Sequence, residues 1–414
     1  MALADVGDWM NEFGRPGVVW YAKRLSANDT LATNAHQAGP YIPKAFLFSV
    51  LPSLNRPEVL NPDVDLKVCV DSHKDRRVAR VVWYNNQVLG TGTRNETRVT
   101  RFGGAGSALL DPDSTGALAV FAFVIEGGSA SECHIWVCGA EGTEADLFEE
   151  RIGPVEPKQH VVWMPGGAPP LSGLLATAPA APASCHLTVA EIPPAWLVQF
   201  PTGEEIIRLA ISRTPPAPTG ADMRLVRRRD CEFEIFQSVE EAVYLPKITA
   251  GFSGISTFLS LAQTILQSRK SRSGNSLELH AREILKEEGF IADTTFTHRP
   301  VIEGGKRPDF LFPSQAAYED RSWPDAALRM LAAKTTCRDR WRQIINEADR
   351  IREKHLLTLQ EGVSEGQFRE MTEAGVKLVV PAKLHGSYPS SVRPHLITLA
   401  SFLEDLRRLP ARRR

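Results

Sequence analysis

Short runs of β-branched, aromatic and other apolar residues dominate the first part of the chain. VVWYAKRL from Val18, DLKVCV from Asp65, VARVVWYNN from Val78, GALAVFAFVI from Gly116 and HIWVCGA from His134 read as β-strands, being short β-rich runs bounded by turn residues. Asn-Asp, Gly-Gly and Asp-Pro pairs supply the turns, so Val18 to Ala140 predicts a small barrel or sandwich. PGGAPPLSGLLATAPAAPA, from Pro165 to Ala183, is almost free of charge and reads as a linker, extended by proline and loosened by glycine. Beyond Glu191 helices and strands alternate. Leu277, Ala281, Ile284 and Leu285 share a helical face, RPDFLFPS and Leu328 to Thr336 hold strand-like runs, and Trp341, Ile344, Ile345, Ala348 and Ile351 return to helical spacing. The chain therefore divides into a β-rich domain over 1–164, a linker over 165–185 and a mixed α/β domain over 186–414.

With 414 residues there is length for two or three domains, each able to bury a core. A net charge of −1 argues against a surface coated in positive charge for indiscriminate nucleic-acid binding. The basic residues are instead bunched, around Arg94 to Arg101, Arg224 to Arg229, Arg269 to Arg272 and Arg338 to Arg342, and any one bunch is as readily a solvated face. Arg412 to Arg414 reads as a disordered tail. The six cysteines show no Cys-x-x-Cys pair and no histidine at zinc spacing, so neither a disulfide framework nor a zinc site is indicated. MALADVGDWMNEFG lacks the basic start and apolar run of a secretion signal, and no apolar stretch is long enough to span a bilayer. These features predict a cytoplasmic, reduced protein with no membrane partner.

Pro308-Asp309, Lys334 and Glu347 stand in one register, with Arg338, Asp339 and Arg340 between the last two. Attack on a phosphodiester needs carboxylates to hold a hard divalent cation such as Mg²⁺ and a positive group beside the attacking water. Two acids and one lysine are the minimum set. Helical period places Arg340 and Glu347 on one flank of the buried face, where the carboxylate could turn toward the strands or pair with Arg350 or Arg340 in solvent. Glu278 lies beside the upstream helical face. Asn275 is placed to cap that helix with Glu278 at its third position, so Glu278 is open to a capping role, a metal-site role, or both.

The blocks SRSGNSLELH, KRPDFLFPS and LRMLAAKTTCRDRWRQIINEADRI resemble the catalytic domain of the EcoRII-type restriction endonucleases. YAKRLSANDT, HQAGPYIP and TRNETRVTRFG resemble that family's effector domain, so the likeness covers both ends and most of the middle. It implies a multidomain fold: a β-rich N-terminal pseudobarrel, B3-like and DNA-binding, followed by a mixed α/β restriction-endonuclease-like domain of the PD-(D/E)xK class. It further implies a type II enzyme that works as a homodimer with Mg²⁺ and cuts double-stranded DNA at CCWGG. A second copy of the site would relieve a block imposed by the N-terminal domain. The class variant moves the second acid onto the following helix, and Glu347 matches it. Asp309 and Glu347 would then bind metal, Lys334 would polarise water and phosphate, Glu278 would tune or complete the metal site, and Tyr318 stands as a candidate supporting residue.

For DNA contacts, the resemblance matches Lys23, His36, Tyr41, Arg94, Glu96 and Arg98 in the effector domain. The chemistry suits them, since Arg pairs bidentately with guanine, Glu accepts from cytosine, and Lys and Tyr grip phosphate. The loop TRNETRVTR is equally a solvated hairpin by its residues alone. In the catalytic domain Arg338, Asp339 and Arg340 would read C·G pairs, or else cap the helix that follows. Arg229 and Phe233 match a pair that sandwiches flipped central bases. Arg338 replaces a lysine of the family pattern and Phe233 a tyrosine. Two rivals remain: a DNA-binding regulator with a degenerate nuclease domain, against which the intact Asp309, Lys334 and Glu347 speak, and a repair nuclease without sequence preference, against which the Arg-Asp-Arg cluster speaks.

Overall fold

Strand β1 (Val18–Arg24) sends Val19 and Tyr21 to one side and Val18, Trp20 and Ala22 to the other, and both sides are buried. This alternation builds the N-terminal half of the molecule. The computed structural model describes residues 3–33, 39–139, 142–164, 185–214, 220–338 and 340–409. The linker run Pro165 to Ala183, His36, Asp339 and the arginine tail therefore lie outside the described residues. Two compact units are distinguished. The first comprises Met1–Pro179, Gln360–Arg369 and Gly386–Pro394; the second comprises Ala180–Leu359, Glu370–His385 and His395–Arg414.

In the first unit, β1 is followed by β2 (Asp63–Val70), β3 (Asp75–Tyr84), β4 (Glu96–Thr100), β5 (Leu118–Glu126), β6 (Ser129–Val137) and β7 (His160–Trp163). Among the described residues they form one sheet in the order β4-β3-β2-β6-β5-β1-β7. The pairs are antiparallel except β2 with β6, which run parallel. The order leaves β4 and β7 as edges, so the sheet is a half-barrel, as expected for a pseudobarrel. Like β1, strand β5 buries both faces, with Phe121 and Phe123 in one core and Leu118, Val120 and Ala122 in the other. The second core is closed by the helices Leu3–Phe13 and Thr143–Ile152, through Trp9, Phe13 and Phe148. Where only one face is covered, polar residues return: β2 buries Leu66, Val68 and Val70 and exposes Asp65 and Lys67.

The second unit is mixed α/β. Strands β8 (Thr297–His298), β9 (Phe310–Phe312), β10 (Arg329–Ala333), β11 (Lys354–Leu357) and β12 (Val376–Val379) form a sheet in the order β12-β11-β10-β9-β8. The β10, β11 and β12 neighbours are parallel and the β8, β9 and β10 neighbours antiparallel. Phe310, Phe312, Leu331 and Leu357 pack with Leu277, Ala281 and Ile284 of the helix Ile255–Glu287. Among the described residues no helix is long and apolar enough to cross a membrane.

Three sequence expectations are corrected here. Asn275 is not an N-cap: the helix begins at Ile255, and Asn275 lies inside it, its side chain donating to the Ser271 carbonyl at 3.0 Å. The Ser-Gly-Asn-Ser signal yields because helical residues on both sides already supply the turn. The helix expected through Glu347 is a single turn, Trp341–Ile344, and Ala348 adopts φ +50, outside the helical region. Trp341, Ile344, Ala348 and Ile351 are nevertheless all buried. Finally, Cys185 and Cys231 form a disulfide across a sequence separation of 46, which local cysteine spacing could not reveal.

Candidate active site

Strand pairing assembles the site. Asp309 directly precedes β9 and Lys334 directly follows β10, and these strands are antiparallel neighbours, so the start of one meets the end of the other. Asp309 Oδ2 accepts from the Lys334 ammonium at 3.1 Å and from the Ala333 backbone N–H at 2.8 Å. Glu347 follows the short helix in an irregular turn and is half-buried. Burial first, and then the charge of Asp309, push its carboxyl up to about 7, while Lys334 and Lys354 pull the other way. Its Oε2 is buried without a hydrogen-bond partner. Asp309, Lys334 and Glu347 are thus brought together.

Glu278 reaches this group only indirectly. Its carboxylate is buried and accepts from His298 Nε2 at 2.5 Å and from Arg299 at 2.6 and 2.7 Å. Burial raises its pKa, but the bonds from His298 and Arg299 outweigh that and hold the carboxyl below its ordinary range. The Arg299 backbone N–H donates to the Asp309 carbonyl at 2.9 Å, so one residue links the two acids. Among the described residues Glu278, Asp309 and Glu347 do not gather within mutual ligand reach. Sequence reasoning missed His298 and Arg299. Their signal was a basic pair just upstream of the Asp309 strand, in FTHRP.

It also missed Lys354, which begins β11 and is buried. Burial lowers its pKa to about 8. Its ammonium donates to the Glu347 carbonyl and, at 2.7 Å, to the Ala348 carbonyl, fixing the backbone that carries Glu347. Tyr318 supports the same turn from the other side. Its hydroxyl donates to Glu303, whose carboxylate also accepts the Asp349 N–H at 2.9 Å. Burial and the Glu303 contact push the Tyr318 pKa well up.

The expected base-contacting residues are placed unequally. Arg338 is buried and Arg340 half-buried, both between Lys334 and Glu347 in the chain. Arg229 is only 5% exposed and is held by Glu232 at 2.9 Å and by Ser276, while the guanidinium over the Phe233 ring belongs to Arg272, at 4.8 Å.

In the first unit, Lys23, Tyr41 and Arg98 line one cleft of about 340 Å³, together with Lys158, His160 and Glu361. Lys23 pairs with Asp29 at 2.7 Å, and Arg98 lies 5.6 Å from the Tyr41 ring centre. Glu96 is clasped by Arg94 at 2.7 Å and Arg98 at 2.9 Å. Burial opposes those bonds, yet they lower its pKa. Lys158 and His160 were not singled out from sequence, because they follow the domain's recognisable blocks.

A divalent cation fits the Asp309 and Glu347 pair. Two carboxylates repel one another there, one buried oxygen lacks a partner, and oxygen donors of this kind suit Mg²⁺.

Comparison with known proteins agrees in both halves. The chain matches the family described as EcoRII C terminal over residues 236–403 and the family described as restriction endonuclease EcoRII, N-terminal, over residues 14–167. It is 43% identical to the type II restriction enzyme EcoRII of Escherichia coli over 409 residues, 98% of each chain. It is 31% identical over 127 residues to the type II restriction enzyme SsoII of Shigella sonnei, covering 29% of this chain and 40% of that one. Among solved structures it is similar to metal-depleted Ecl18kI in complex with uncleaved, modified DNA (TM-score 0.43, 19% identity, 51% of this chain and 80% of that chain). It is also similar to the B3 domain of UbaLAI restriction endonuclease with cognate DNA (TM-score 0.28, 19% identity, 39% of this chain and 97% of that chain). Near-complete coverage at 43% identity, with both domain families matched in order, establishes that the chain belongs to the EcoRII-type restriction endonucleases.

Proposed function

We propose that this chain is a Mg²⁺-dependent homodimeric endonuclease that hydrolyses double-stranded DNA at CCWGG and is activated by a second copy of that site bound to its first unit. The observation that carries the chemistry is the shared position of Asp309 and Lys334, with the unpartnered Glu347 oxygen beside them. Hydrolysis joins a water oxygen to phosphorus and breaks one ester P–O bond; the water gives up a proton and the leaving oxygen takes one. Asp309 and Glu347 would hold the ion, which when bound stabilises charge on the phosphoryl oxygens. Lys334, a donor with no acceptor capacity, orients the water and the scissile phosphate. Its ammonium is kept in place by Asp309. Lys354 and Tyr318 hold the turn that presents Glu347. Glu278 positions Arg299 and, through it, the Asp309 backbone.

Arg338, Asp339 and Arg340 would read the C·G pairs, being next to Lys334 in the chain and so near the cut phosphate. Lys23, Tyr41, Arg94, Glu96 and Arg98, with His36, would bind the second DNA copy. The cleft that three of them line is one side of that reading. Coupling is supported by Gln360–Arg369, which comes from the C-terminal half of the sequence but belongs to the first unit. There Glu361 lines the cleft and Ser364 donates to Asp113 at 2.5 Å. The site sequence rests on kinship with the family. We place the protein in the cytoplasm, with its DNA. Digestion of a plasmid of known sequence with Mg²⁺ and mapping of the ends tests the proposal. Cuts confined to CCWGG support it, and cuts scattered over unrelated sequences contradict it.

A further inference from the structure

A separate group of side chains lies on the first unit's sheet, independent of the nuclease reading. Residues two apart on a strand share a face, and so do residues in register on neighbouring strands. Cys69 and His134 are register partners on the parallel strands β2 and β6. Asp71 follows Cys69 by two, and Glu132 precedes His134 by two in register with Lys67. Strand register thus sets the Cys69 thiol, the His134 imidazole and the Glu132 carboxylate on one face, and Asp71, first residue of the turn Asp71–His73 just past the end of β2, joins them through its contact with His134. The Cys69 sulfur and one donor atom each from Asp71 and His134 all lie within 4.8 Å of one another. The Nδ1 of His134 is 2.8 Å from Asp71 Oδ2.

We propose that Cys69, Asp71 and His134 form a binding site for a Zn²⁺-class transition ion. Such ions take sulfur, nitrogen and carboxylate donors at about 2.0–2.3 Å in tetrahedral array, which puts donor atoms roughly 3.3–3.8 Å apart. To reach that, Cys69 moves inward and the hydrogen-bonded His134–Asp71 pair, now at 2.8 Å, opens to admit the ion. Two further contacts have the form of an outer shell. Metal-bound histidine ordinarily gives its other ring N–H to a carboxylate. Here His134 Nε2 lies 3.4 Å from Glu132, leaving Nδ1 on the side of Asp71. Trp9 Nε1 donates to Asp71 at 2.8 Å, and Phe13 stacks on His134 at 4.2 Å between ring centres. Both come from the helix Leu3–Phe13, so the ion would fasten that helix to the sheet. The rival is an imidazolium bridging Asp71 and Glu132, which would give the same hydrogen bonds and leave Cys69 without a part.

Titrating the metal-free full-length protein with Co²⁺ tests this, because a thiolate-to-cobalt charge-transfer band reports sulfur ligation and is blind to ions held by carboxylates at the nuclease centre. The band should saturate at one Co²⁺ per chain, persist in excess Mg²⁺, be displaced by Zn²⁺ and vanish in Cys69→Ser. Glu132→Gln should weaken binding by about 10–100-fold. His134→Gln gives an independent loss should Cys69→Ser fail to fold. Absence of the band, its survival in folded Cys69→Ser, or unchanged Co²⁺ affinity in folded His134→Gln would overturn the assignment and leave the bridged imidazolium.

Discussion

Arg299 grips Glu278 with two nitrogens, Nε at 2.6 Å and a terminal amine at 2.7 Å, while its own backbone N–H holds the Asp309 carbonyl. The guanidinium is half exposed and the carboxylate nearly enclosed, so this pair is stronger than a surface bridge but partly screened. Glu278 keeps His298 when Arg299 is removed. Arg299→Ala should therefore cost roughly 1–2 kcal/mol at pH 7. Because the Glu278 pKa is depressed in the folded state, this stability is present above the ordinary value of 4.5 and is lost as pH falls below it. Urea unfolding of both proteins at pH 7 and near pH 4 checks this. A gap that is the same at both would mean that the pair does not set the carboxyl's titration.

Glu347 gives the opposite sign. Its folded-state value, about 7, lies above the ordinary 4.5, so folding favours the protonated carboxyl. The group's contribution to stability is full below about 4.5 and disappears as pH rises through about 7. In EDTA, Glu347→Gln should melt above the parent at pH 8 and level with it near pH 4.5. Added Mg²⁺ should stabilise the parent but not the variant. A parent that melts higher at pH 8 without metal would contradict the proximity of Glu347 to Asp309.

Arg340→Ala should weaken binding to the cognate duplex by roughly 1–3 kcal/mol if it pairs bidentately with guanine. A phosphate contact would weaken all duplexes alike and flatten the salt dependence. Binding to matched and mismatched duplexes at several salt concentrations separates the two. Equal losses on both would remove Arg340 from base reading.

Cutting the chain between Pro165 and Ala183 tests the control mechanism. Allostery requires that DNA bind the blocked and released states differently. The C-terminal fragment should stay dimeric and cleave single-site DNA faster than the whole protein. The whole protein should need a second site or an added oligonucleotide. An inactive fragment, beside a whole protein that cuts one-site plasmids freely, would reduce the first unit to a DNA anchor.

The strands were legible for two reasons: β2 alternates with period two because one face is buried, while β1 and β5, buried on both faces, read as short continuous apolar runs bounded by turns. Helical periodicity was less reliable. Trp341, Ile344, Ala348 and Ile351 do reach the core at helical spacing, but an irregular path past Ala348 delivers them there. The pattern records which side chains are buried and not how the backbone brings them in. Asp309, Lys334 and Glu347 could be read as a set because their residue types are chemically distinctive. Lys354 could not, since a buried lysine whose ammonium serves two carbonyls looks in sequence like any surface lysine on a strand. The contacts of Arg229 with Glu232 and Ser276 were not legible either, because their partners lie on the same helix and on a distant one and carry no local signal.

Cleavage and binding by Lys334→Ala, measured side by side on one cognate duplex with Mg²⁺, test the central assignment most directly. Lys334 faces Asp309 and the proposed position of the scissile phosphate, and is given no contact with bases. Cleavage should fall by about 100- to 1,000-fold, as for loss of a group that stabilises developing charge, with specific binding kept within about threefold. Asp309→Ala should match it in cleavage. Normal cleavage by a folded Lys334→Ala would contradict the account.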